Sequence, residues 1–268
     1  MKICKVFVPY GAIGMGIPQD AFDRGLALQP DVIATDAGST DSGPYYLGAG
    51  VGKYSEAAIR RCVRQLVKGA EKLSVPLLIG SCNTSGTDSG VDELERIVRE
   101  VCQEENISGK KIVKIYTEQR PEKLKRKFQQ GKIRPLKNAP DIDENTFDEC
   151  SHIVGLGGAE HFIKALKMGA DIVLCGRCTD TAIIAAYPIM KGCHVGATWH
   201  GAKTAECGPA CTTQWSGTGV VLTVDETGFS IEATAENASC TPYTVSAHML
   251  YENSDPFVLV EPGTVIDV

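Results

Sequence analysis

The feature that most restricts this chain is an alternation. Short unbroken apolar runs take turns with longer segments whose apolar residues recur at helical spacing. The runs cover residues 3–9, 31–34, 75–80, 111–116, 152–155 and 171–176. Continuous Val, Ile and Leu without polar alternation is what strands buried on both faces require. Between them, residues 55–73 place Ile59, Cys62, Val63, Leu66, Ala70 and Leu73 on one helical face. Residues 89–104 do the same with Val91, Leu94, Ile97, Val98 and Val101, and Ser89 with Asp92 offers a cap at the start. Further helices are predicted over 160–168 and from 179 until Pro188 interrupts the pattern. The order of elements predicts an α/β fold, a mostly parallel sheet flanked by helices.

Past Lys191 the texture changes. Residues 194–214 are rich in Gly, Thr, Ala and Cys and have no clean period, whereas 220–224 and 229–233 alternate around a turn from Asp225 to Gly228. That is a hairpin signal. The expected division is an α/β sheet domain over 1–192 that carries the site, and a smaller α+β region over 193–268. The last residues, 257–268, are apolar and strand-like; a second chain or further sequence is expected to complete that unit.

A chain of 268 residues can bury a large core as one domain or two. Its net charge of -6 argues against a nucleic-acid partner, which needs a basic stripe. The one dense basic run, Lys123, Lys125, Arg126 and Lys127, has helical spacing with Leu124 and Phe128 as anchors. It reads as a solvated helix face in preference to a phosphate or CoA-adenylate contact. No apolar stretch approaches the ~18 residues of a spanning helix, so no membrane is expected. The N-terminus reads as a first strand and not as a signal peptide. Most of the 11 cysteines fall inside apolar patterns, as Cys4, Cys62, Cys102 and Cys175 do. This placement suits small core residues in a reducing compartment, hence a cytoplasmic protein.

In open parallel sheets, ligands bind beyond the carboxyl ends of the strands, and the densest polar clusters fall there. The loop after the second strand carries Asp36, Ser39, Thr40 and Asp41. The next holds Ser81, Asn83 and Thr84 between Gly80 and Gly90. Gly157 and Gly158 lie in a third loop, Arg177 and Asp180 in a fourth. Asp36 and Asp41 suit general acid and base roles, or hold a divalent cation (Mg or Mn) with Asp180; turn and cap chemistry is the plainer alternative. Ser81 and Thr84, with Asn83 between them, offer hydroxyls and backbone N–H groups to an anion, without the lysine of a nucleotide-binding P-loop. Gly157 and Gly158 are only a fragment of a dinucleotide fingerprint, so no NAD is inferred. Arg177 follows a buried strand and needs an anion, from Asp180 or from a substrate. Cys175, Cys178, Cys207 and Cys211 have the spacing of a structural zinc site, yet Cys175 belongs to a strand, which disfavours it. A later Gly-rich segment gathers His200, Lys203, Glu206 and Cys207, with His200 in the pKa range for proton transfer.

Several of these stretches together resemble the AtuA family, named for acyclic terpene utilisation. They are Asp31-Val-Ile-Ala-Thr-Asp-Ala-Gly-Ser-Thr-Asp41, Gly43-Pro-Tyr-Tyr-Leu-Gly48, Pro76-Leu-Leu-Ile-Gly-Ser81, Gly131-Lys-Ile-Arg-Pro135, the run from Ala170 to Ile184, Trp199-His200 with Glu206-Cys-Gly208, and Ser246-Ala-His-Met-Leu-Tyr-Glu-Asn253. The resemblance implies a catabolic enzyme acting beside CoA-thioester and organic-acid pathways, and a lyase on a branched hydroxyacyl-CoA. It also implies a small companion protein and members that continue past Val268. The expectation is therefore a lyase of small carboxylates or their CoA thioesters. In it Arg177 binds a carboxylate, Asp36 or Asp41 and His200 move protons, and Ser81, Thr84 and Gly157-Gly158 hold an anionic group, with Lys203 and Glu206 contacting substrate. Two alternatives stand beside it: a metal-assisted hydratase or dehydratase of a hydroxy-acid, and a non-catalytic subunit that needs a companion chain. A homo-oligomer or a companion subunit is the expected assembly.

Overall fold

The computed structural model describes residues 3–38, 42–251, 255 and 257–267. In chain order the elements are β1 (Cys4–Val8), α1 (Gln19–Ala27), β2 (Val32–Asp36), α2 (Tyr45–Ala49), α3 (Glu56–Leu73), β3 (Leu77–Gly80), α4 (Asp88–Glu104) and β4 (Ile112–Ile115). Then come α5 (Pro121–Gln129), α6 (Thr146–Glu149), α7 (Ala159–Lys167), β5 (Ile172–Cys175), α8 (Asp180–Lys191) and α9 (Val195–Ala205). The chain continues through β6 (Val220–Val224), β7 (Phe229–Ala233), α10 (Pro242–Met249), β8 (Val258–Glu261) and β9 (Thr264–Asp267).

Seven strands form one sheet in the order β4-β5-β3-β2-β1-β6-β7. Its first five strands run parallel, with Val6 opposite Val32, Ile33 opposite Leu77, Leu78 opposite Val173 and Val113 opposite Val173. β6 and β7 run antiparallel. Five of the six apolar runs form strands; β1, β2, β3 and β5 are buried on both faces, as expected, whereas the edge strand β4 is only half-buried. Phe7, Ile33, Leu77, Ile79 and Leu174 point to the layer of α1, α3 and α4. Val6, Val8, Ala34, Leu78 and Val173 point to α7, α8, α9 and α10. A helix on either face is how a parallel sheet hides from water.

Four local expectations are corrected. Residues 152–155 make no strand: Val154 joins Glu118 in a single bridge, because His152 turns aside to bond the Glu118 carboxylate at 2.6 Å. α4 is capped by Thr87, whose hydroxyl accepts from the Gly90 N–H at 3.2 Å, and not by Ser89. α8 continues through Pro188 and closes on left-handed Gly192, since proline in a last turn forfeits only one backbone bond. The aperiodic stretch after Lys191 contains the eleven-residue helix α9. That helix lies between α8 and the β6–β7 hairpin, so it is buried nearly all round. A side chain at Gly201 would meet Leu222 at 2.7 Å and Phe229 at 3.0 Å. Small residues let it approach so closely, and they also erase its apolar period. The β6–β7 hairpin pairs with β1 and extends the main sheet, while β8 and β9 make a separate two-stranded sheet. Among the described residues, no helix is long and apolar enough to cross a membrane.

Candidate functional site

The carboxyl ends of β2, β3 and β5 bring three loops into backbone contact. A Cβ on Gly38 would stand 2.1 Å from the Thr84 Cα, so only glycine lets the first loop lie against the second. The second loop is itself held in left-handed conformations at Ser81, Asn83 and Thr84, with φ of 47°, 54° and 61°. Non-glycine residues occupy that region at a cost, and such positions concentrate at functional sites. Thr84 donates its N–H to the Ala37 carbonyl at 3.1 Å, and the Ser81 hydroxyl reaches the Cys178 carbonyl at 3.3 Å.

Arg177 fills the junction. Its guanidinium donates to the Thr84 carbonyl and, at 3.4 Å, to the Gly38 carbonyl. Among the described residues no carboxylate lies within ion-pair distance of it, so of the two anions the sequence offers for Arg177, Asp180 is not paired with it. Instead the side chain borders a cleft of about 460 Å³ whose other walls include Pro44, Tyr46, Leu47, Val154 and Leu156. One cation in an apolar cleft has the polarity of a carboxylate on a hydrocarbon chain.

Asp36 ends β2 beneath this junction, 2% exposed. One oxygen accepts the Gly38 N–H at 2.8 Å; the other is buried with no partner. Burial pushes its pKa well above the carboxylate range, and Cys178 adds to the rise, while Arg177, the Gly38 N–H and Ser81 oppose it. Asp180, in the first turn of α8, is raised in the same direction. Burial leads there too, followed by the charges of Asp36 and Glu206, against Arg177 and Lys203. Two acids that feel each other cannot both ionise freely.

A second group adjoins this pair. Lys203, near the end of α9, ion-pairs with Glu206, and the Thr181 hydroxyl donates to the other Glu206 oxygen at 2.6 Å. Both members of the pair are buried. Glu261, from the end of β8, brings in one more carboxyl; burial raises its pKa and one of its oxygens has no partner. Beside them stand Cys207, whose thiol is pushed up by burial and then by Glu206 and Asp180, and His248, which burial lowers to about 4. Glu206, Cys207 and His248 present one donor atom each within 4.8 Å of one another, a grouping fit to hold a metal ion. Burying so many ionisable groups in one place costs several kcal/mol per ion unless each is paired. A structural role is poorly served by that, and functional sites are where such clusters collect.

The predicted residues divide accordingly. Asp36, Ser81, Thr84, Arg177 and Asp180 converge on the sheet edge, with Lys203 and Glu206 beside them. Asn83 instead donates to Glu93. Gly157 donates its N–H to the Arg177 carbonyl at 2.9 Å, and Gly158 precedes α7 and packs near Pro262. Gly157 therefore fastens the Arg177 loop, and its N–H is already engaged. His200 is not on this rim. Its ring sits edge-on to Phe229 at 5.1 Å and lines a different groove with Thr227, Gly228 and Asp267. Burial lowers its pKa. Ser39, Thr40 and Asp41 lie outside the described residues. The four zinc-spaced cysteines do not gather: among the described residues the metal-ready grouping includes only Cys207 of the four, while the free thiols of Cys178 and Cys175 hydrogen-bond to each other and that of Cys211 does so with Cys240. The histidine in the charged cluster is His248, which sequence reasoning passed over.

A model of the family described as acyclic terpene utilisation family protein AtuA matches residues 81–268, beginning at the loop after β3. No curated protein and no solved structure matches the chain.

Proposed function

The chain belongs to the AtuA family, the acyclic terpene utilisation family, and from that premise we propose that it is a catabolic lyase of a small carboxylic acid or its CoA thioester. The observation that carries the reading is Arg177: a buried guanidinium with no carboxylate partner among the described residues, at the wall of an apolar cleft. A branched hydrocarbon acid supplies both missing parts, an anion for the cation and alkyl groups for Tyr46, Leu47, Val154 and Leu156.

Asp36 and Asp180 supply the proton chemistry. Both pKa values are raised, by burial first, and ionisation of one carboxyl opposes ionisation of the other, so a proton lost from one is held more firmly by its neighbour. The ionised member takes the proton of a substrate hydroxyl as the neighbouring bond breaks. The protonated member returns a proton to the carbon or oxygen that keeps the electrons. His200 has no part in this scheme, because it lies in another groove.

The test is turnover of a panel of hydroxy-acids and hydroxyacyl-CoA esters by Arg177→Ala, Arg177→Lys and Asp36→Asn proteins, with folding checked by circular dichroism. Loss of about 10²-fold or more in Asp36→Asn is expected for a general acid or base. Arg177→Ala should raise KM more than Arg177→Lys does. Unchanged kinetics in folded variants remove the roles assigned here. The grouping of Glu206, Cys207 and His248 favours a second reading, a metal-assisted hydratase or dehydratase. Activity abolished by chelation and restored by a divalent ion selects it.

A further inference from the structure

We infer that Glu206, Cys207 and His248 form a binding site for a borderline divalent transition ion of the zinc class, with its remaining coordination position open to a side cleft. Three donors of different softness, a carboxylate oxygen, a thiolate sulfur and an imidazole nitrogen, suit zinc or cobalt better than magnesium or manganese, which prefer oxygen alone. The donor atoms lie within 4.8 Å of one another. Around a tetrahedral zinc they would stand roughly 3.3–3.8 Å apart, so a side-chain shift of about 1 Å closes the site.

The independent observation is at His248. The residue is 4% exposed, and its Nε2 is buried without a hydrogen-bond partner. The ring also bonds to the Lys203 backbone carbonyl, which leaves Nδ1 as the donor and the Nε2 lone pair free. That is the tautomer a metal-bound histidine adopts, with its second nitrogen oriented by an outer partner. Stacking on Tyr251 at 5.9 Å and 27° fixes the ring plane. Glu206 is held in the same manner by Thr181 and Lys203, and a carboxylate retains lone pairs after two such bonds.

Access comes from one side. Cys207 and Tyr251 border a cleft of about 230 Å³ together with Gly11, Lys53, Tyr54 and Trp215. Three protein ligands plus an open position is the arrangement of zinc sites that bind water or substrate, whereas structural sites are closed by four. Lys53 in that cleft favours an anionic fourth ligand. This inference does not rest on the lyase reading, since an ion can be seated and counted without any substrate.

The experiment uses chelator-treated protein titrated with zinc or cobalt alone. One ion per chain should survive gel filtration, and the cobalt form should show a thiolate-to-metal charge-transfer band in the near ultraviolet. That band should vanish in Cys207→Ser and persist in Cys150→Ser, which alters an exposed cysteine. Zinc affinity should fall at least tenfold in His248→Gln, and by about 10- to 100-fold in Thr181→Val, which removes an outer partner. Should Cys207→Ser fail to fold, zinc X-ray absorption of the native chain gives the answer by showing a single sulfur. A band that survives in Cys207→Ser, zinc binding unaltered in His248→Gln, a sulfur count other than one, or no retained ion overturns the assignment.

Discussion

At the scale of single residues, Asp36 makes the sharpest prediction, because its proton has a stated reason to stay. Ionising it would leave a buried oxygen without a donor, so folding raises its pKa. The unfolded aspartate releases its proton near about pH 3.9. The stability this acid contributes is therefore complete below that value and is lost as pH rises toward the higher folded pKa. Asparagine imitates the protonated form. Asp36→Asn should melt close to the native protein near about pH 4, then increasingly above it as pH rises toward the folded pKa, even as activity is lost. A melting difference independent of pH would remove the buried acid. A second residue-scale prediction concerns the Lys203–Glu206 pair in metal-free protein. Lys203→Met strands a buried carboxylate and should cost about 3–5 kcal/mol, most of which returns in the double variant with Glu206→Leu. Denaturant unfolding of the native protein, the two single variants and the double variant tests it, and additive effects would refute the coupling. Asp36, Arg177 and Asp180 were legible in the sequence because each follows a strand whose burial could be read. His248 was not, because it sits alone on a short helix and its partners are distant in the chain. His200 is the converse case: it lies close to Lys203 and Glu206 in sequence, but its ring sits edge-on to Phe229 and lines another groove.

At the scale of elements, legibility followed amphipathicity. α3 and α4 carry an apolar stripe facing the sheet and a charged face on which Arg60, Arg64 and Arg96 meet Glu56, Glu100, Glu104 and Glu105. Such helices announce their period. α9 does not, because it is enclosed on several sides and carries glycine and alanine where a stripe would need larger groups. Two consequences can be measured. Thr87→Ala removes the hydroxyl that caps α4, also bonded at 2.9 Å to Ser85, and should destabilise the protein by about 1 kcal/mol. Ser89→Ala should change it far less, which reverses what the sequence alone predicts. At Gly201 the limit is space. Gly201→Val must push Leu222 and Phe229 off the β6–β7 hairpin, an overpacking that typically costs about 1–3 kcal/mol. A variant as stable as the native chain would mean that α9 does not pack on the hairpin as closely as described.

At the scale of the whole molecule, the candidate site is a meeting of distant parts of the chain. β2 and β3 deliver Asp36 and Ser81, β5 delivers Arg177, α8 and α9 deliver Asp180, Lys203 and Glu206, and the last third adds His248 and Glu261. The sheet explains how such residues meet, since parallel strands bring every following loop to one edge. It does not explain why α10 and the β8–β9 hairpin come to that edge, and nothing in their sequence period announces it. The small second sheet has few apolar residues of its own to bury: Leu259 and Ile266 are enclosed, while Val258, Val260 and Val265 are exposed. Glu261 therefore reaches the charged cluster from an element with little independent stability, and its orphaned oxygen looks for a partner there. A ligand that satisfies the rim would tie this loosely held element to the core. At about 100 times its dissociation constant, such a ligand adds about 2.7 kcal/mol to the apparent stability. Hydrogen exchange should place most of the new protection in β8, β9, α10 and residues 81–86, because central strands such as β2 already open only with global unfolding. Carboxylates and CoA esters are the compounds to try. If a compound raises the melting temperature yet protects only the groove of His200, the active edge of the sheet lies on the β6–β7 side and Arg177 is a structural residue.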